Sequence, residues 1–107
     1  MSQMLKKMLV WDAHAGLFPS PDMDLNTLED WRIHDVNYLS INIGFDVMSR
    51  DETLATLAAY RRWLLANSDR FLLAGKFADI DQAKLSGRLA VSFDIEGMNA
   101  LGGDINM

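Results

Sequence analysis

Three stretches of the chain are almost continuously apolar: Met8-Leu9-Val10-Trp11, Tyr38-Leu39-Ser40-Ile41-Asn42-Ile43 and Leu89-Ala90-Val91-Ser92-Phe93-Asp94-Ile95. Short runs of this kind suit strands buried on both faces, as in a parallel sheet. The first run is closed by Asp12-Ala13-His14, after which Gly16, Pro19 and Pro21 predict a loop. The second ends at Gly44 and the third in Glu96-Gly97; a shorter run, Phe71-Leu72-Leu73-Ala74, ends at Gly75.

Between these runs the spacing of apolar residues changes to that of helices. Leu25, Leu28, Trp31 and Ile33 predict a short helix with Asn26 or Thr27 near its cap. Ser49-Arg50-Asp51-Glu52 has the spacing of a capping box. Behind it Leu54, Leu57, Ala58, Arg61, Leu64 and Leu65 predict a helical stripe interrupted only by Arg61. A third helix is expected from Ala78 to Ser86, closed by Gly87 at C′. Strands alternating with helices imply right-handed crossovers and a parallel sheet, an α/β fold in which ligands gather at the carboxyl ends of the strands. His14 and Glu96 both follow strands at that end, which brings them to one crevice although they are far apart in sequence.

Composition narrows the function. At 107 residues the chain holds a single domain or part of one, residues 1–107, and half of its residues are hydrophobic, enough for a core. Its net charge of −5, with the basic residues scattered, disfavours a nucleic-acid partner. Without cysteine it has neither a disulfide framework nor a thiolate metal site, so any metal must use His, Asp or Glu. The run after Lys6 and Lys7 is too short for a signal peptide, and no stretch approaches the roughly 20 apolar residues of a membrane span. A soluble, cytoplasmic protein is expected.

The candidate chemistry is sparse. His14 reads as a divalent-metal ligand or as a hydrogen-bonded histidine at a strand end. Glu96 reads as a ligand given room by Gly97, or as a solvated carboxylate at a loop edge. Period two sets Asp94 on the face of Glu96. Asp12 and Asp46 read as capping or supporting groups, and His34 as a cap or surface group at a helix end. The seven methionines are expected to fill core gaps, and Trp11, Trp31 and Trp63 to pack. Serine-nucleophile motifs and phosphate-binding glycine loops are absent.

Trp11-Asp12-Ala13-His14, followed at the third long strand by Asp94-Ile95-Glu96-Gly97-Met98-Asn99-Ala100-Leu101, resembles the membrane (renal) dipeptidase family and its bacterial relatives. These are zinc peptidases among the metal-dependent amidohydrolase-like barrels. The resemblance spans nearly all of this chain but about the first third of a usual member, and it implies the amino-terminal βα units of a TIM-like (β/α)8 barrel, left incomplete. It also implies that His14 and Glu96 bind zinc, that Asp12, Asp94 and Asn99 are supporting or substrate-side residues, and that the substrate of a complete relative is a small peptide. Gly16 stands where the family has a second metal-binding aspartate, and Met98-Asn99 where many members show Gly-His.

Three functions follow as expectations. The first is an amino-terminal portion of a dipeptidase-like metallohydrolase, inactive by itself. The second is a small non-catalytic α/β binding or assembly module. The third is a different metal-dependent barrel hydrolase acting on a cyclic amide or ester. Open sheet edges allow a homo-oligomer under either of the first two.

Overall fold

A computed structural model describes residues 10–15, 18–44 and 48–95; within it the elements follow in the order β1 (Trp11–Ala15), a 3-10 turn (Leu25–Leu28), α1 (Glu29–Ile33), β2 (Tyr38–Gly44), α2 (Arg50–Ala66), β3 (Phe71–Leu73), α3 (Phe77–Leu85) and β4 (Leu89–Ile95). The strands form one parallel sheet in the order β1-β2-β4-β3. Handedness then dictates where the helices lie. The connections from β1 to β2 and from β2 to β3 run in the same direction across the sheet, so right-handed crossovers put the 3-10 turn and α2 on one face. From β3 to β4 the direction reverses, which puts α3 on the other.

The packing follows this division. Leu39, Ile41 and Ile43 of β2, Leu89 and Val91 of β4 and Phe71 of β3 meet Leu25, Leu28, Tyr60 and Leu64 in the main core. On the opposite face Ala90 packs with Ile80 and Ala83 of α3, flanked by Tyr38, Leu72 and Ala74. Each fully buried aliphatic side chain of the main core contributes about 1.5–3 kcal/mol relative to exposure.

Several boundaries differ from expectation. The strand predicted at Met8–Trp11 with a loop from Asp12 instead runs through Asp12 and His14 to Ala15, while Met8 and Leu9 lie outside the described residues. Backbone pairing to Tyr38, Leu39 and Ile41 carries the ladder into the polar residues, with a register shift between Asp12 and Ala15. The first helix begins as a 3-10 turn capped by Asp24, whose carboxylate accepts from the Asn26 N–H at 3.0 Å, so neither Asn26 nor Thr27 is the cap. It ends at His34, the expected cap, whose Nδ1 donates to the Asp30 carbonyl at 2.6 Å. Asp35 then takes φ +62° and the Val36 N–H reaches back to the Trp31 carbonyl. That six-to-one bond usually follows a glycine, and aspartate is among the few side chains that tolerate it.

In α2 the capping box forms, with Ser49 Oγ accepting from the Glu52 N–H at 3.1 Å. The buried stripe, however, is Thr53, Thr56, Tyr60 and Leu64, while Leu54 and Leu65 are exposed. Two threonines can be buried because each returns its hydroxyl to the carbonyl four residues back, Thr53 to Ser49 at 3.1 Å and Thr56 to Glu52 at 2.9 Å. α3 starts at Phe77, one residue before the expected Ala78, where Asp79 Oδ2 accepts from the N–H groups of Gly75 (2.8 Å) and Lys76 (3.1 Å). It closes as expected at Gly87, with φ +71° and the Arg88 N–H bonded to the Ala83 carbonyl at 2.8 Å.

The amino-terminal end of the sheet is tied by charge. Glu29 accepts from Arg32 and, at 3.0 Å, from Arg70, whose guanidinium also lies over the rings of Trp63 and Phe71. Those hydrogen bonds, Arg32 foremost, hold the Glu29 carboxyl below its usual range. No helix among the described residues is long and apolar enough to cross a membrane.

Candidate functional site

β1, β2 and β4 end side by side, and the face of the sheet left open there by α3 is polar. Along β2 the residues alternate: Leu39, Ile41 and Ile43 enter the main core, so Ser40 and Asn42 lie on the other side. β4 matches it, since Ser40 pairs with Ser92 and Asn42 with Asp94 across the ladder. Ser40 Oγ donates to Asp94 Oδ2 at 2.8 Å, the Tyr38 and Ser92 hydroxyls bond to each other, and Asn42 Oδ1 accepts from the Gly44 N–H at 3.1 Å. Ser40 and Asn42 are buried at 7% and 4% exposure, so these bonds offset desolvation that would otherwise cost about 1–3 kcal/mol per group.

Gly44 ends β2 against α2. A Cβ built on it would fall 2.5 Å from Thr53 Oγ1 and 2.7 Å from Thr53 Cγ2, so glycine sets how closely the strand end approaches the helix. Below the polar row, Trp11, Tyr38, Phe77, Ile80 and Ser92 line an open cleft of about 310 Å³. Trp11, expected to pack, is half exposed: it leans on Tyr38 at 5.2 Å and stacks on Phe77 at 6.3 Å between ring centroids. Trp31 and Trp63 pack against the main core as expected.

The residues singled out in the sequence are distributed unequally. The backbone of His14 lies in the last part of β1, and Glu96 is the next residue after β4; the His14 side chain, Glu96 and Asn99 are outside what the structure describes, as is Asp46. Asp94 stands in the polar row. Asp12 does not join it: its Oδ2 accepts from Trp31 Nε1 at 3.3 Å, toward the main core. Among the described residues no three His, Asp or Glu side chains cluster closely enough to hold a metal. Tyr38, Ser40, Asn42 and Ser92 were not among the sequence candidates. Their signal was the period-two recurrence of polar residues in strands otherwise read as apolar on both sides.

A solved structure described as an amidohydrolase from Pseudomonas aeruginosa superposes on this chain with a TM-score of 0.81 at 18% identity, covering 97% of the chain. The likeness is one of fold: the two share the α/β arrangement over nearly the whole of this chain. The chain spans 30% of the length of that structure. No protein-family model matches the sequence, and no curated protein does.

Proposed function

We propose that the chain is the first βα portion of a metal-dependent amidohydrolase-like hydrolase, with His14 and Glu96 as metal ligands. The observation that supports this is topological. β1 carries the His14 backbone one residue before its end and β4 leads directly into Glu96, with β2 between them. Adjacent strands lie about 4.8 Å apart, so the two ends are separated by roughly 10 Å, a span that one imidazole and one carboxylate can bridge through an ion. β1, β2 and β4 then correspond to adjacent strands of a barrel wall, with β3 paired to the first residues of β4.

A nitrogen and oxygen donor set without thiolate suits zinc or another borderline divalent ion. Bound there, such an ion would polarise a scissile carbonyl and lower the pKa of a water. Catalytic zinc takes three protein ligands, so His14 and Glu96 form part of a set. The polar row would support them: Ser40 fixes Asp94 two residues before Glu96, and the Tyr38–Ser92 pair keeps the floor beneath hydrogen-bonded. A dipeptide substrate is the finer reading, carried by the likeness of Asp94 to Leu101 to the renal dipeptidases.

Calorimetric titration of the 107-residue chain with zinc tests the assignment. Stoichiometric uptake that disappears in both His14→Ala and Glu96→Gln is expected. No uptake by the parent chain would leave the assembly-module reading in its place. Added zinc is not expected to produce dipeptide turnover by this chain, and measurable turnover would refute the proposal that it is only part of the enzyme.

A further inference from the structure

We propose that the amino-terminal end of the sheet carries a site for a hydrogen phosphate ion; this goes beyond the hydrolase reading and does not rest on it. The turns that follow α1 and α3 flank a pocket of about 120 Å³, lined chiefly by Arg32, Asp35, Asn37, Lys84, Gly87 and Arg88. Asn37 and Arg88 directly precede β2 and β4, so the pocket lies at the opposite end of the strands from His14 and Glu96. Three of the chain's ten basic residues line it, although the net charge is −5. Helix ends account for part of this. Arg32 and Lys84 stand in the last turns of α1 and α3, where a cation offsets the partial negative charge of the carbonyls. Arg32 is also bonded to Glu29 and, at 3.2 Å, to the Gly87 carbonyl.

Arg88 and Asn37 fall outside that account. Arg88 lies beyond α3, its Nε bonded to Ser86 Oγ at 2.8 Å and its Nη1 to the Ser68 carbonyl at 3.2 Å; among the described residues its Nη2 has no acceptor. Asn37 is 7% exposed and accepts from the Val10 N–H through Oδ1 at 2.8 Å. Nothing among the described residues accepts from its Nδ2, and no fully buried side-chain donor there lacks a partner, so this amide opens on the pocket. A nearly buried amide donor beside guanidinium groups suits an oxyanion. The room is well below the roughly 300 Å³ of a site for a drug-sized molecule, so the ion is small. Asp35 narrows the choice. A carboxylate among the cations repels an ion with no proton to share, such as sulfate, whereas phosphate near neutral pH keeps a P–OH that Asp35 can accept.

Heteronuclear NMR on the isotope-labelled intact chain, titrated with inorganic phosphate near neutral pH at an ionic strength held constant with chloride, reads both affinity and place. Phosphate should shift the backbone amides around Asn37 and Arg88 saturably, with a dissociation constant of about 1 mM, and sulfate should bind at least about tenfold more weakly. Asn37→Asp keeps the acceptor for the Val10 N–H and replaces the donor by a like charge, so it should weaken phosphate at least about tenfold. Arg88→Gln should do the same and serves where Asn37→Asp disturbs the fold, which the amide spectrum of each variant reports. Asparagine tolerates the φ of +62° at position 35, so Asp35→Asn should stay folded and bring sulfate to within about threefold of phosphate. No saturable shift with phosphate, shifts centred elsewhere, or equal affinity of the parent for sulfate would each overturn the proposal. So would an unchanged phosphate affinity in Asn37→Asp and Arg88→Gln, or an unchanged selectivity in Asp35→Asn.

Discussion

Replacing Gly44 by alanine tests how tightly the end of β2 is held against α2. The new methyl carbon would sit 2.5 Å from Thr53 Oγ1 and 2.7 Å from Thr53 Cγ2, distances at which something must move. Thr53 cannot simply swing away, because it is buried and its hydroxyl is bonded to the Ser49 carbonyl at the start of the helix. Overpacking of this kind costs about 1–3 kcal/mol. Gly44 is not among the glycines with positive φ, so alanine also gains roughly 0.4–1 kcal/mol by restricting the unfolded chain. The net loss is on the order of 1 kcal/mol, a fall of about 0.5 M in the urea midpoint for a slope near 2 kcal/mol/M. Thr53→Ala removes both close atoms while leaving the helix cap at Ser49 intact. The double variant should therefore be more stable than the sum of the single losses predicts, by about 1 kcal/mol in a double-mutant cycle. Strict additivity, or a Gly44→Ala protein as stable as the parent, would refute the argument that the Thr53 side chain sets this approach.

The Tyr60 hydroxyl accepts from the Ser20 N–H at 3.2 Å and donates to Met23 Sδ at 3.4 Å, so Tyr60→Phe should cost about 1 kcal/mol in denaturant unfolding. Glu29 titrates below its usual value in the fold because Arg32, and then Arg70, hydrogen-bond its charged form. A depressed carboxyl contributes stability above its unfolded value of 4.5 and loses it as the pH falls through the folded pKa. Unfolding midpoints measured between neutral pH and about pH 3 should consequently decline less steeply in Glu29→Gln than in the parent, and an identical decline would remove Glu29 from the acid sensitivity of the fold.

Much of the fold was legible where one local rule dominated. β2 and β4, the Ser49–Glu52 capping box and the Gly87 termination each depend on short-range chemistry that no tertiary contact overrides. The burial stripe of α2 was misphased because Thr53 and Thr56 satisfy their own hydroxyls within the helix and can occupy core positions that pattern reasoning reserves for leucine. The end of α1 at His34 was legible although the left-handed residue that follows it, Asp35, is not glycine. The β1 boundary was misread because a parallel partner supplies the ladder whatever the polarity of Asp12 and His14. The polar row of the candidate site was visible in sequence as Ser40, Asn42, Ser92 and Asp94. Its meaning was not, since only the β2–β4 register shows that the four share a face.

Among the described strands, β4 alone touches both β2 and β3. A chain emerging residue by residue presents β1, β2, α2 and β3 before Leu89 appears, yet β3 then has no neighbour to pair with and β2 has one edge bare. The described part of the sheet is joined in its middle by the last of these strands, like a keystone set after both sides of an arch. Whatever delays or deletes Leu89–Ile95 therefore breaks the sheet in its middle instead of shortening it at one edge.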